Sequence, residues 1–166
     1  MIEYAERWLK SYKKERENSY HVISDAVKID YNLLLEKYNA PRNIDYLQID
    51  LEVVNGSTLE VLQNFDKNVF DKYKFGVITF EHDHYRDNGN MSITRDISRE
   101  IFKKRGYIRI FSDVNQNRFW RNKEGTKKLI IFEDWYVHPD LINTDYINYL
   151  IKVNEKNYKK TGKDDC

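Results

Sequence analysis

The sequence predicts an α/β layered fold whose sheet is mainly parallel, with an antiparallel strand pair at its C-terminal side. Three observations carry this expectation. Apolar strand-like runs alternate with amphipathic helical stretches, as right-handed crossovers between parallel strands require. Two of those runs, Ile44–Leu51 and Phe75–Phe80, are nearly continuous in apolar character, the pattern of strands covered on both faces. The last two runs, Tyr107–Phe111 and Leu129–Phe132, follow each other with no helix between them, which suits an antiparallel pair.

The elements follow in order. Tyr4, Trp8 and Tyr12 fall at helical spacing among charges, so residues 1–20 read as an N-terminal amphipathic helix with one docking stripe. His21–Ser24 suits a short strand. Asp30–Tyr38 reads as a helix stopped by Asn39-Ala40-Pro41, because the residue before a proline is pushed out of the helical region. After the strand Ile44–Leu51, apolar on both faces in its middle, Ser57 and Glu60 have the spacing of a capping box for a helix to about Phe65. A short polar stretch leads to Phe75–Phe80. Ile93, Ile97, Ile101 and Phe102 then mark the apolar stripe of a helix that Gly106 stops. A long polar connection joins Tyr107–Phe111 to Leu129–Phe132. The closing helix spans 144–158, packing through Tyr146, Ile147, Leu150, Ile151 and Val153, and 159–166 is a frayed tail. Residues 1–166 read as one domain, a length that allows one real core.

Composition excludes several function classes. Lys and Arg number 28 against 27 Asp and Glu, so no global field attracts nucleic acid or an anionic membrane. No apolar run approaches the length of a membrane span, and the charged N-terminus does not suit a secretory signal. The single cysteine, Cys166, forbids an internal disulfide and points to a reducing, cytoplasmic setting.

Candidate chemistry gathers where parallel strands end, because ligands of open α/β sheets sit outside the carboxyl ends of their strands. One strand ends in Asp50-Leu51-Glu52, the other in Glu81-His82-Asp83-His84. If the strands are neighbours, Asp50, Glu52, Glu81 and His82 share a rim able to take the proton of a substrate hydroxyl. Polar residues also gather at strand ends simply because the chain meets solvent there. A metal site is a further alternative, but successive strand residues point to opposite faces, so residues 81–84 converge only if the chain turns sharply. Arg95 and Arg99, at i and i+4, face one way on a helix and suit a rim carboxylate, an anionic substrate group or plain solvent. Glu133 and Asp134 leave a strand, and Trp135 and Tyr136 form a stacking wall for a sugar or ring, unless Trp135 is part of the core. No Gly-x-Gly-x-x-Gly, phosphate loop, zinc-knuckle spacing, Gly-x-Ser-x-Gly or His-Glu-x-x-His occurs.

The ordered motifs resemble those of the FkbM-type methyltransferases. Ile44–Glu52 followed by Ser57–Leu62 resembles that family's Asp-x-Glu segment and next helix. Tyr73–Asp83 is similar to its next strand with an acidic-His ending, and Arg95, Ser98, Arg99, Arg105–Tyr107 and Phe132–Pro139 keep its order. The resemblance covers about residues 22–142, the C-terminal half of the family's domain. Where the family has Asp-x-Glu-Gly, this chain has Asp50-Leu51-Glu52-Val53, with glycine only at Gly56.

The resemblance implies part of a Rossmann-like, class I methyltransferase sheet. It also implies S-adenosylmethionine as donor and the hydroxyl of a sugar or similar small molecule as acceptor. Asp50, Glu52, Glu81 and His82 become the catalytic candidates, with Asp83, Arg95, Arg99, Glu133, Asp134 and Trp135 toward substrate; no cofactor-binding residue is assigned. The strands and glycine turn that hold the donor in the family have no counterpart ahead of this region, so a truncated domain that binds the donor weakly or not at all alone is expected. A partner chain, or self-association at the exposed sheet edge, would then complete it. The alternatives are a non-catalytic binding or assembly module derived from such an enzyme and, more weakly, a metal-dependent hydrolase using Asp50, Glu52, His82 and Asp83.

Overall fold

Four strands form one sheet in the order β1-β2-β4-β3. The structure is a computed structural model that describes residues 28–51, 53, 56–86, 90–121, 125 and 127–161. The expected N-terminal helix, the strand His21–Ser24, Glu52 and the last five residues of the tail lie outside these. The elements are α1 (Tyr31–Lys37), β1 (Asn43–Ile49), α2 (Ser57–Asn68), β2 (Lys74–Glu81), a 3-10 turn (His84–Arg86), α3 (Asn90–Lys104), β3 (Ile108–Arg121), β4 (Lys127–Val137) and α4 (Thr144–Thr161). Among the described residues, no helix is long and apolar enough to cross a membrane.

The α/β class is as expected, but the sheet is not mainly parallel. Only β1 and β2 pair in parallel; β2–β4 and β4–β3 are both antiparallel. The physical reason is the short connection between the last two strands. A hairpin return puts β4 antiparallel to β3, and β4 then fills the place beside β2 that a third parallel pairing would need. The hairpin is also much longer than its apolar segments. Most of the expected polar connection is strand, because ladder hydrogen bonds rather than burial hold it.

Local corrections have similar causes. Asp30, expected as the first residue of this helix, is instead its cap, its carboxylate accepting from the Leu33 amide at 3.0 Å. The expected capping box at Ser57 does not form. Gly56, at φ +82°, is the cap residue, and no side chain caps the helix, which also runs three residues past Phe65. On α3 the buried positions are Thr94, Ser98 and Phe102, while Ile93 is 52% exposed. Glu133 and Asp134 lie inside β4 rather than beyond a strand. On α4 Ile147 is buried, but Tyr146 and Tyr149 are exposed and stack on each other at 6.2 Å. The helix continues to Thr161, into the expected tail.

Two apolar layers flank the sheet. On one face α2 and α3 pack against Ile49, Ile78, Phe80 and Tyr136, with Leu62, Phe65, Phe70 and Phe102 between. On the other, α4 covers Ile110, Val137 and Trp135. This second layer does not extend over β1, whose Tyr46, Gln48 and Asp50 stay exposed; β1 is therefore apolar-buried on one face only. Gly76 is required where β1 and β2 run side by side, since a Cβ there would stand 3.0 Å from the Asp45 carbonyl oxygen.

Candidate active site at the tips of two parallel strands

Strand register puts acids side by side at the carboxyl end of the sheet. Gln48 is the Cα partner of Thr79 in the parallel pair, so Asp50 and Glu81, two residues on, share the same face. Glu81 is in turn opposite Glu133. The Gln48 amide donates to Asp50 Oδ2 at 3.1 Å. Burial, and then the Asp50 and Asp83 carboxyls beside it, push the Glu81 pKa up to about 9. At neutral pH Glu81 therefore carries a proton.

His82 turns to the opposite face. Its amide and that of Asp83 both donate to the Phe132 carbonyl, at 2.6 and 3.0 Å, and Asp83 adopts φ +46°, which swings the chain into the 3-10 turn. The His82 ring is fully buried. Its Nδ1 accepts from the His84 amide at 3.2 Å, which leaves the proton on Nε2. Nε2 lies 3.5 Å from Asp134 Oδ1 and 4.0 Å from Asp113 Oδ1, with no hydrogen-bond partner among the described residues.

Asp134 is the hub of this second cluster. Arg99 clamps it with two bonds, Nε to Oδ2 at 2.7 Å and Nη2 to Oδ1 at 3.0 Å. The Asp113 amide donates to Oδ1 at 2.8 Å and the Tyr136 hydroxyl to Oδ2 at 3.1 Å. Burial alone would raise the Asp134 pKa, but His82, Arg99 and the Asp113 amide outweigh it and hold the carboxyl well below the usual range. Since 3.5 Å is long for a hydrogen bond from His82, the clamp and the amide carry the greater share. Arg99 Nη2 also donates to Asp113 Oδ1 at 2.8 Å, and Arg95 reaches the same oxygen at 3.4 Å.

The structure thus divides the predicted residues between two faces. Asp50, Glu81 and Asp83 meet at one rim, with Glu133 on the same face. His82, Arg99 and Asp134 meet on the other, and Arg95 joins them through Asp113. Glu52 lies outside the described residues. Trp135 packs edge-on against Phe111 at 5.5 Å and donates from Nε1 to Glu133 at 2.6 Å, so it belongs to the layer under α4. Asp113, Tyr136 and Arg109 were missed as members of the second cluster. Asp113 sits at φ +53° where the β3–β4 register shifts, in a stretch with no hydrophobic period to mark it as strand.

The set Asp50, His82 and Asp83 does not converge as a metal site, because His82 faces away. His82, Asp113 and Asp134 do bring one ligand atom each within 4.8 Å of one another. The chemistry there does not fit a cation, since the Arg99 guanidinium bridges both carboxylates with a permanent positive charge.

No curated protein and no solved structure matches the chain. The family model described as the methyltransferase FkbM domain matches residues 4–109, reaching upstream of the resembling region and ending at the start of β3. That span is more than half of the 166 residues, and the chain belongs to the FkbM methyltransferase family.

Proposed function

We propose that this chain serves O-methyl transfer, accepting the proton of a hydroxyl on a sugar or similar small molecule at the Asp50–Glu81 rim. The single observation that carries the reading is the pair of carboxyls, Asp50 and Glu81, that strand register sets on one face at the tips of two parallel strands. Asp50 is exposed and oriented by Gln48, so it is the member that meets the acceptor. As the hydroxyl oxygen attacks, its proton passes to the Asp50 carboxylate. Glu81, protonated at neutral pH, stands beside Asp50 as an acid that can donate to it. Asp83 and Glu133 border the same rim toward substrate. Arg95, Arg99, Asp134 and His82 act through position, anchoring the segment that carries Glu81.

S-adenosylmethionine is the donor that family membership makes plausible, and when bound it supplies an electrophilic methyl group. No residue among those described is assigned to hold it; Gly76 is closed by the Asp45 carbonyl of β1. On this reading, donor binding falls to residues outside those described or to a partner chain.

The test is methyl transfer from labelled donor at millimolar concentration over a panel of methyl glycosides. The expected result is slow transfer that falls at least about a hundredfold in Asp50→Asn, the scale of a lost general base. Transfer to no acceptor would overturn catalysis by this chain and favour a binding or assembly module instead. Calorimetric titration should find donor affinity weaker than micromolar.

A further inference from the structure

The sheet face that carries the acidic rim is covered over only part of its width. The layer under α4 reaches Val77 of β2 and leaves β1 open. On β1, Tyr46, Gln48 and Asp50 alternate onto this open face, and all three are exposed. Register arranges the face in rows. Gln48 stands beside Thr79 and Trp135, and two residues further on Asp50 stands beside Glu81 and Glu133. Gln48 orients Asp50, but Tyr46 has no task in proton transfer.

Tyr46 is 51% exposed, yet its hydroxyl is held on the sheet. The hydroxyl lies 2.8 Å from Thr79 Oγ1 on the neighbouring strand and approaches Gln48 Oε1 at 3.4 Å. A phenol tied to the next strand at its far end lies along the sheet, with one ring face turned outward. Its hydroxyl end reaches the Gln48–Thr79 row. The carboxyl row is two strand residues beyond, about 6.6 Å, a separation that one six-membered sugar with its hydroxyls spans. The stacking wall expected of Trp135 and Tyr136 is closed to a ligand, since Trp135 packs against Phe111 and Tyr136 is buried on the other face.

Charge narrows the ligand. Among the described residues, Asp50, Glu81 and Glu133 meet the Gln48 amide, the Trp135 indole and other carboxyls, but no Lys or Arg. A carboxylate or phosphate on the acceptor would stand against Asp50 and Glu133 with no described cation to receive it. A purely aromatic ligand would stack on Tyr46 and leave Gln48 and Asp50 without hydroxyls to bond.

We infer that Tyr46 is a binding residue for the acceptor, stacking on the apolar face of an uncharged six-membered sugar whose hydroxyls meet Gln48 and Asp50. This contact rests on the acceptor site proposed above, but binding needs neither donor nor transfer, so the two are tested apart.

Saturation-transfer-difference NMR on the full chain, with methyl β-glucopyranoside and the matching glucuronide at millimolar concentration, is the test. The expected result is saturation of the glucoside ring protons, with a dissociation constant about fivefold higher in Tyr46→Leu and within about twofold of wild type in Tyr46→Phe, the scale of one aromatic contact. Both substitutions keep an apolar cover over Thr79 at a half-exposed position, so the fold is retained. The glucuronide should bind at least about tenfold more weakly than the glucoside, a gap that narrows in Asp50→Asn. Equal affinity of wild type and Tyr46→Leu, a glucuronide that binds as well as the glucoside, or no saturation transfer at all would overturn the inference. Sugar binding that depends on Tyr46 in a chain that transfers no methyl group would uphold it and remove the proton-transfer reading instead. Methyl transfer unchanged in Tyr46→Leu would do the reverse.

Discussion

Replacing Arg99 by methionine keeps an unbranched apolar stem and removes the clamp on Asp134. Asp134 has no solvent exposure and accepts from four donors, two of them on Arg99. Losing these two leaves a buried carboxylate with the Asp113 amide, the Tyr136 hydroxyl and, at longer range, His82 at 3.5 Å and Arg109 at 3.7 Å. Removing one partner of a buried pair costs about 3–5 kcal/mol. The Arg99 side chain is 22% exposed, so water can reach the vacated space, and the lower end, about 3 kcal/mol, applies. That corresponds to a fall of about 6–12 °C in Tm for a chain of this size, or about 1–2 M in the urea midpoint. The pH dependence has a definite sign. The folded pKa of Asp134 lies below its ordinary value of about 3.9, so the pair's stabilisation is complete above about pH 4 and is lost as pH falls through the folded value. The gap between wild type and Arg99→Met, followed by circular dichroism in urea, should be flat from neutral pH to about pH 5 and close in stronger acid. A cost under about 1 kcal/mol, or a gap that persists in acid, would refute the assignment of Asp134 as a buried, clamped anion.

Three further outcomes follow from single residues. Glu81 is the opposite case: its folded pKa, about 9, is raised, so its stabilisation is full below an unfolded value of about 4.3 and is lost as pH rises through 9. Glu81→Gln, which mimics the protonated form, should therefore gain about 1 kcal/mol over wild type at pH 8 relative to pH 5, with solvent access keeping the figure small; equal urea midpoints at both pH values would contradict the retained proton. Gly76→Ala drives a Cβ to 3.0 Å from the Asp45 carbonyl oxygen and should lower stability by about 1–3 kcal/mol, visible as a lower melting temperature. The Thr58 hydroxyl is buried without a hydrogen-bond partner among the described residues, so Thr58→Val should be neutral or stabilising by up to about 1 kcal/mol; a clear loss of stability would reveal a bond to that oxygen.

The legible parts of the sequence were those where burial and period coincide. Phe75–Phe80 is nearly continuous in apolar character and becomes the covered strand β2, and Asp30–Tyr38 becomes a helix that stops before Pro41. Hydropathy fails where a position is buried for polar reasons. Thr94 and Ser98 line the inner face of α3 beneath the Arg95–Arg99 side chains, and Ser98 satisfies its hydroxyl by donating to the Arg95 carbonyl at 2.7 Å. No apolar count marks such positions, whereas Ile93 attracts attention and stays exposed. The length of the β3–β4 hairpin was hidden for the complementary reason. Its strands are held by ladder bonds along an irregular register, so residues 112–121 carry no alternation and read as a connection.

The site was half legible, and the geometry of one residue step explains which half. Clustering by sequence placed Glu81, His82 and Asp83 together at a strand tip, but adjacent strand residues diverge, so Glu81 and His82 take up different tasks on opposite faces. Glu81 joins Asp50 through strand register, a relation that needs only the expectation that the two strands are parallel neighbours. His82 joins Asp134 and Asp113 through an antiparallel strand and a bulge, which no spacing in the sequence encodes. The two clusters are nevertheless mechanically linked. The Phe132 carbonyl that receives the His82 and Asp83 amides lies two residues from the Asp134 carboxylate that Arg99 clamps. Loosening the clamp should therefore disturb the rim without touching it, and the titration of Glu81 measured in Arg99→Met is where that linkage would appear.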